Sequence, residues 1–208
     1  MLSFRTPLAK QLKRLLYTAA LLLLFLTVYG QNSEEHFAEE LASSALRLTE
    51  QEVIYDPAYY SIDYPNGDVP ADRGVCTDVV IRAYRGMSID LQQEVHEDML
   101  DHFELYPDIW GLERPDANID HRRVPILMKY FERYGTEKPI TETAADYLPG
   151  DIVCWNLGGA VTHIGIIANS RSEDGLRPML IHNIGRGQVL EDCLFAYRII
   201  GHYIYQGK

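Results

Sequence analysis

The chain has 208 residues, of which 47% are hydrophobic and 11% aromatic, a composition that is typical of a folded globular protein and excludes long disordered segments. Its net charge of −11 disfavours binding to nucleic-acid phosphates or anionic lipid, and favours positively charged partners such as amine-bearing peptides.

The first 30 residues predict an export signal. Four basic residues precede an apolar run, Leu15 to Val28: Arg5, Lys10, Lys13 and Arg14. This is the order of regions in a signal peptide. The run, about 14 residues, is shorter than the roughly 20 that a spanning helix needs, which favours cleavage; the alternative is an uncleaved anchor in the inner membrane. We therefore predict a periplasmic or otherwise exported protein, with residues 31–208 as one domain.

Two helices are predicted in the first part of this domain. An apolar stripe at helical spacing runs from Ser33 to about Val53. Residues 56–74 then carry Pro, Asn-Gly and several tyrosines, a pattern that breaks regular structure and is expected to border a cleft. The segment "CTDVVIRAYR", Cys76–Arg85, predicts the second helix, with Gly86 as its C-terminal cap.

Two more helices and a sheet complete the predicted domain. Ser88 is the expected N-cap of a helix to about Leu105, and Pro125 opens a helix that ends at Gly135. Four β-rich segments separated by turn residues follow: "IVCWNL", "VTHIGIIA", "PMLIHNI" and "YRIIGHYIY". Helices followed by strands predict an α+β domain with an antiparallel sheet.

Three residues have the chemistry of a cysteine nucleophile with its base. Cys76 follows a Gly-containing loop at a helix start, where backbone amides and the helix dipole stabilise a thiolate. His163 and His182 lie on consecutive predicted strands, so their imidazoles are expected to be neighbours across the sheet. We predict Cys76 as nucleophile, His163 as base and His182 as the group that orients His163. A structural cysteine and two structural histidines are the alternative.

The odd cysteine count leaves at least one thiol free within a monomer. Cys154 and Cys193 either form a disulfide, or Cys154 is simply a small core residue. The sequence does not decide between these.

Two polar clusters have competing interpretations. Asp120–Arg123 either holds a substrate carboxylate or forms a solvated loop with local ion pairs. Glu94, Asp98 and His102 lie four apart, a spacing typical of a solvated helix face. Because the sequence has no compact His/Cys/carboxylate signature, we predict no metal site and no cofactor.

Taken together, these motifs resemble a known family. Cys76-Thr77 at a helix start, then "PGDIV", "HIGII" and "IH" in that order, are similar to the NlpC-type cell-wall peptidases. The segments "RGVCTDVVIRAYR", "NIDHRRVP", "PGDIVCWNL" and "LIHNIGRG" resemble more closely the domain-of-unknown-function family 1287 of exported bacterial proteins, relatives of those peptidases. The resemblance extends from about Asp56 to the C-terminus.

The resemblance implies a papain-like core in which Cys76 attacks a peptide carbonyl, His163 transfers the proton and His182 orients His163. It also implies a substrate, the stem peptides of peptidoglycan. One position departs from the pattern, because those peptidases usually have an Asp before the nucleophile for substrate amine recognition, and this chain has Val75.

Four polar residues are the candidates for substrate binding: Arg73, Asp78, Tyr64 and Arg122. Hydrolysis is the favoured function, because a free cysteine and two histidines agree with export and acidity. Acyl transfer by the same thioester chemistry and a non-catalytic periplasmic binding module are the alternatives. No oligomeric state is predicted.

Overall fold

The computed structural model describes residues 16–17, 30 and 33–208. The chain divides into two units, residues 1–37 and residues 38–208. Among the described residues, no helix is long and apolar enough to cross a membrane. Apart from residues 16, 17 and 30, the segment predicted as an export signal lies outside the described residues, so that assignment stays a prediction.

The first helix, α1, covers residues 33–48 and is shorter than the predicted helix to Val53. Its apolar stripe is buried, with Leu41 only 1% exposed. On the same helix, the Ser44 hydroxyl donates a hydrogen bond of 2.8 Å to the Ala83 carbonyl. This bond fastens α1 to the helix that carries the candidate nucleophile.

Three further helices follow: α2 Cys76–Arg85, α3 Leu91–His102 and α4 Val124–Tyr134. The bounds of α2 agree with the prediction, and α4 has Pro125 in its first turn and Gly135 after its last residue. The prediction that Ser88 caps α3 is wrong. Asp90 is the N-cap, and its carboxylate accepts the N–H of Gln92 at 3.0 Å, whereas Ser88 has a positive φ of 63°.

The sheet has six strands: β3 Thr136–Glu137, β4 Ile152–Gly158, β5 Val161–Arg171, β6 Pro178–His182, β7 Val189–Glu191 and β8 Arg198–Ile204. Their order in the sheet is β3-β8-β4-β5-β6-β7, and every pairing is antiparallel. Two short segments, β1 Ile54–Tyr55 and β2 Arg73–Gly74, pair in parallel beside it. The predicted α+β class is therefore confirmed.

The central strands are buried on both faces. Ile164 and Ile166 of β5 alternate with His163 and Ile167, and all four are at most 4% exposed. Helix α2 packs on β5 and β6. Because α2 begins at Cys76, this packing places the candidate nucleophile beside the strand that carries His163.

Candidate active site

Cys76 is the first residue of α2, and the local sequence fixes this helix start. The Asp78 carboxylate accepts a hydrogen bond of 2.7 Å from the Val75 N–H, which closes the first turn. The Cys76 thiol is free, and the residue is 6% exposed. The backbone amides of Ile164 and Thr77 lie close enough to its sulfur to lower the pKa of the thiol. The sulfur is thus held between the start of α2 and β5.

Burial decides the protonation state of this thiol. It raises the pKa of Cys76 to about 12, although the amides of Ile164 and Thr77 act in the opposite direction. The expected effect of the helix start is present, since its backbone amides lower the pKa of the thiol, but desolvation outweighs it in the resting structure. The resting sulfur is a neutral thiol, and it needs a base to become a nucleophile.

A chain of hydrogen bonds runs from the sheet edge to the candidate base. Glu191 Oε2 lies 3.0 Å from His182 Nε2, and His182 Nδ1 lies 2.8 Å from His163 Nε2. Because a carboxylate only accepts, His182 Nε2 carries the proton and its Nδ1 is an acceptor. His163 therefore donates through Nε2, which leaves Nδ1 as the unprotonated, basic nitrogen. We assign these tautomers from the hydrogen-bond network.

The surroundings keep both imidazoles neutral. Burial, followed by the nearby His182, lowers the pKa of His163 to about 3. Burial is also the main cause that lowers the pKa of His182, against the opposing effect of Glu191. Gly165 makes room for this arrangement, since a Cβ there would lie 3.1 Å from the Cβ of His182. Trp155 packs beside His163, with the centres of the two rings 5.7 Å apart.

Cys76 begins the helix that packs on β5, the strand that carries His163. The amide of Ile164 lies close enough to the Cys76 sulfur to lower the pKa of the thiol, and Ile164 follows His163 in the sequence. Within residues 33–208, no hydrogen bond joins the Cys76 thiol to an imidazole. Catalytic hydrogen bonds are often long or misaligned until a substrate binds. The structure therefore joins His163 and His182 directly and places Cys76 at the start of the helix that packs on β5, and the catalytic role of the three residues stays a prediction.

A cleft of about 220 Å³ opens over the sulfur. Its lining combines aromatic, apolar and basic side chains, among them Tyr55, Val75, Cys76, Trp110, Arg122, Arg123 and Thr162. The Arg123 guanidinium lies 4.4 Å from the centre of the Trp110 ring and forms an ion pair of 2.9 Å with Asp120. The local ion pair expected for this segment is therefore present, but the segment is not solvated, because Asp120, His121 and Arg122 are at most 6% exposed.

Asp78 and Arg122 form a buried ion pair below the nucleophile. Their hydrogen bonds measure 2.9 and 3.0 Å, and their side chains are 3% and 2% exposed. Arg122 also donates to the Ala58 carbonyl at 3.1 Å, while its own carbonyl accepts the Thr77 hydroxyl at 3.1 Å. The two charges fasten the 56–74 loop and residues 120–122 to the start of α2.

The other two predicted substrate-binding residues have partners of their own. Arg73 forms an ion pair of 2.8 Å with Asp56, and its side chain is 39% exposed. Tyr64 packs against His96 of α3, with ring centres 5.0 Å apart. Neither lines the cleft, whereas Tyr55 of the same tyrosine-rich region does.

The carboxylates of α3 are not the solvated face that their spacing indicates. Asp98 is 4% exposed and accepts hydrogen bonds of 2.7 and 2.9 Å from Arg133. Glu94 accepts the Tyr205 hydroxyl at 2.7 Å. Both therefore belong to the packing of α3 against α4 and the chain terminus, because residues distant in sequence supply their partners.

The remaining cysteines are also free thiols, so the disulfide alternative for Cys154 and Cys193 is not formed. Cys154 is 0% exposed within β4, as expected for a small core residue. Cys193 lies close to the site instead, with its sulfur 3.6 Å from His182 Nε2.

Sequence reasoning missed two residues of the site, Glu191 and Trp110, and did not single out Tyr55. Glu191 ends a strand of three residues, which is too short to give an alternation pattern. Trp110 lies in a polar loop that carries no periodic signal. The tyrosines of residues 55–64 indicated a cleft border, but their spacing did not say which of them lines it.

Comparisons with known proteins found a similar protein, a solved structure and a family. An uncharacterized protein of Escherichia coli (strain K12), YijF, is 49% identical over 165 residues, which cover 79% of this chain and 80% of YijF. The solved structure of NlpC1 from Trichomonas vaginalis aligns over 81% of this chain and 44% of that one, with 15% identity and a TM-score of 0.44. The family described as "Domain of unknown function (DUF1287)" matches residues 42–205. This chain belongs to that family.

Proposed function

We propose that this protein is an exported cysteine hydrolase that cleaves peptide or amide bonds in the stem peptides of peptidoglycan. One observation carries the proposal. A free thiol at the first residue of α2 lies beside β5, the strand that carries His163. Hydrogen bonds between Glu191 and His182 and between His182 and His163 orient His163 as a neutral base. Cysteine nucleophiles need this combination of helix start, base and orienting group.

The chemistry begins when a substrate carbonyl enters the cleft. His163 Nδ1 accepts the proton of the Cys76 thiol as the sulfur forms a bond to the carbonyl carbon. Backbone amides at the start of α2 stabilise the resulting oxyanion. The C–N bond then breaks, the leaving amine takes the proton from His163, and an acyl thioester remains on Cys76. Water then attacks the thioester while His163 takes one of its protons. The C–S bond breaks, the acid product leaves, and the proton passes from His163 to the Cys76 sulfur.

The cleft and the charge of the protein support a peptide substrate. Trp110 and Tyr55 provide apolar contact area, and Arg123 presents a cation that can meet a substrate carboxylate. The acidic protein attracts substrates with free amines. Val75 replaces the usual acid before the nucleophile, so amine recognition has to come from other groups.

The experiment is incubation of purified protein with peptidoglycan fragments, with products identified by mass. We expect cleavage by the wild type and none by Cys76→Ala. Cys154→Ala is the matched control, since that thiol is fully buried and does not line the cleft. Circular dichroism verifies that both variants fold.

Three results would contradict the proposal. The first is the absence of cleavage by folded wild type, which favours a binding module. The second is cleavage that survives Cys76→Ala. The third is products whose masses match transfer to an added amine instead of addition of water, which assigns the same site to acyl transfer.

A further inference from the structure

A thiol, an imidazole and a carboxylate converge at the outer end of the hydrogen-bond chain. Cys193 Sγ lies 3.6 Å and Glu191 Oε2 lies 3.0 Å from His182 Nε2, and the three ligand atoms all lie within 4.8 Å of one another. His182 is 1% exposed, while Glu191 and Cys193 are partly exposed and open the cluster to solvent. The hydrolytic chemistry proposed above makes no use of Cys193.

We propose that His182, Glu191 and Cys193 form a binding site for Zn²⁺, and that an ion bound there switches off His163 as a base. Zinc takes imidazole nitrogen, thiolate sulfur and carboxylate oxygen, with bonds of about 2.0 to 2.3 Å. In a tetrahedral site, such bonds separate the ligand atoms by roughly 3.3 to 3.7 Å. The separations from His182 Nε2, 3.0 Å and 3.6 Å, are close to these values, so small side-chain movements let the three residues bind the ion, with water as the fourth ligand.

The zinc ion affects His163 by changing which ring nitrogen carries the proton in His182 and in His163. Zinc binding to His182 Nε2 displaces the proton from that nitrogen, and the neutral imidazole then carries its proton on Nδ1. His182 now donates to His163 Nε2, so the proton of His163 moves to Nδ1, the nitrogen that would accept from Cys76. The Cys193 thiol loses its proton to solvent on binding the metal. The two imidazoles keep one proton each, but the basic nitrogen of His163 is blocked.

One neighbour opposes the ion and gives a useful control. The Arg186 guanidinium lies 2.9 Å from Glu191 Oε1, and its side chain is 75% exposed. Its positive charge competes with a cation for the carboxylate. Arg186→Gln should therefore tighten zinc binding, whereas loss of a ligand should weaken it.

The binding experiment is a titration of the folded protein with Zn²⁺ by calorimetry, in wild type, Cys193→Ser, Arg186→Gln and Cys154→Ala. We expect Cys193→Ser to weaken binding roughly 100-fold, Arg186→Gln to tighten it, and Cys154→Ala to leave it unchanged. Mg²⁺ should not bind, because it prefers oxygen ligands. Equal zinc affinity in wild type and Cys193→Ser would overturn the metal site.

The switch has its own readout. ¹⁵N spectra of the histidine rings, with His163 assigned by His163→Gln, should show the His163 proton on Nε2 without metal and on Nδ1 with zinc. Unchanged His163 resonances in zinc-bound protein would overturn the switch. The inhibition rests on the proposed function, but the binding and the tautomer shift do not. Zinc binding without Cys76-dependent cleavage therefore refutes the proposed function alone, and cleavage without zinc binding refutes this inference alone.

Discussion

Replacing Asp78 by Asn tests whether the Asp78–Arg122 pair is structural or is available to substrate. The change leaves the Arg122 guanidinium buried at 2% exposure without its counter-ion, and weakens the acceptor that the Val75 N–H meets at 2.7 Å. Breaking a buried ion pair by removing one partner costs about 3–5 kcal/mol. This is a large share of the roughly 5–15 kcal/mol by which a domain is stable. We therefore expect a severe loss of stability.

Urea unfolding followed by tryptophan fluorescence measures this loss. With a denaturant slope of about 2 kcal/mol/M, the midpoint should fall by roughly 1.5–2.5 M. Asp68→Asn is the matched control, because that carboxylate pairs with Arg82 and Arg85 at 35% exposure and should cost less than about 1 kcal/mol. If Asp78→Asn does not fold, adding Arg122→Met should restore folding. Equal midpoints for Asp78→Asn and Asp68→Asn would refute the structural role.

Two further predictions concern the base and the thiol. Gly165→Ala should lower Cys76-dependent cleavage by roughly 100-fold with the fold retained. The added Cβ would lie 3.1 Å from the Cβ of His182 and displace the His182 ring. Cleavage at the wild-type rate would contradict this prediction. The thiolate of Cys76 is measured as the ultraviolet absorbance of wild type minus that of Cys76→Ala. This signal should be absent at pH 7 and rise only in strong alkali, because burial raises the pKa of Cys76 to about 12. A thiolate signal that is complete by pH 8 would contradict this prediction.

The parts of the fold with strong local patterns were predictable from sequence. Helix α2 has its expected bounds, and the strands that carry His163 and His182 lie side by side, because alternation and turn residues define them locally. The N-cap of α3 was misplaced by two residues, since Ser88 and Asp90 are both good capping residues and only the backbone conformation separates them.

The parts of the site that depend on tertiary contacts were not predictable. Glu191 orients His182 from a three-residue strand, and the charge state of Cys76 follows from burial that the local helix start does not reveal. The sequence spacing of Asp98 from Glu94 and His102 indicates a solvated helix face, but Asp98 is buried in an ion pair with Arg133 of α4. In each case the deciding partner is distant in sequence.

The central claim is that His163 activates Cys76. The most direct measurement is the rate at which a peptide-derived acylating reagent modifies Cys76, read by peptide mass mapping, in wild type and His163→Gln. General-base assistance contributes about 10²–10⁴ in rate, so we predict at least a 100-fold slower modification of Cys76 in the variant, with Cys154 unaffected. Equal rates of Cys76 modification in the two proteins would contradict the account.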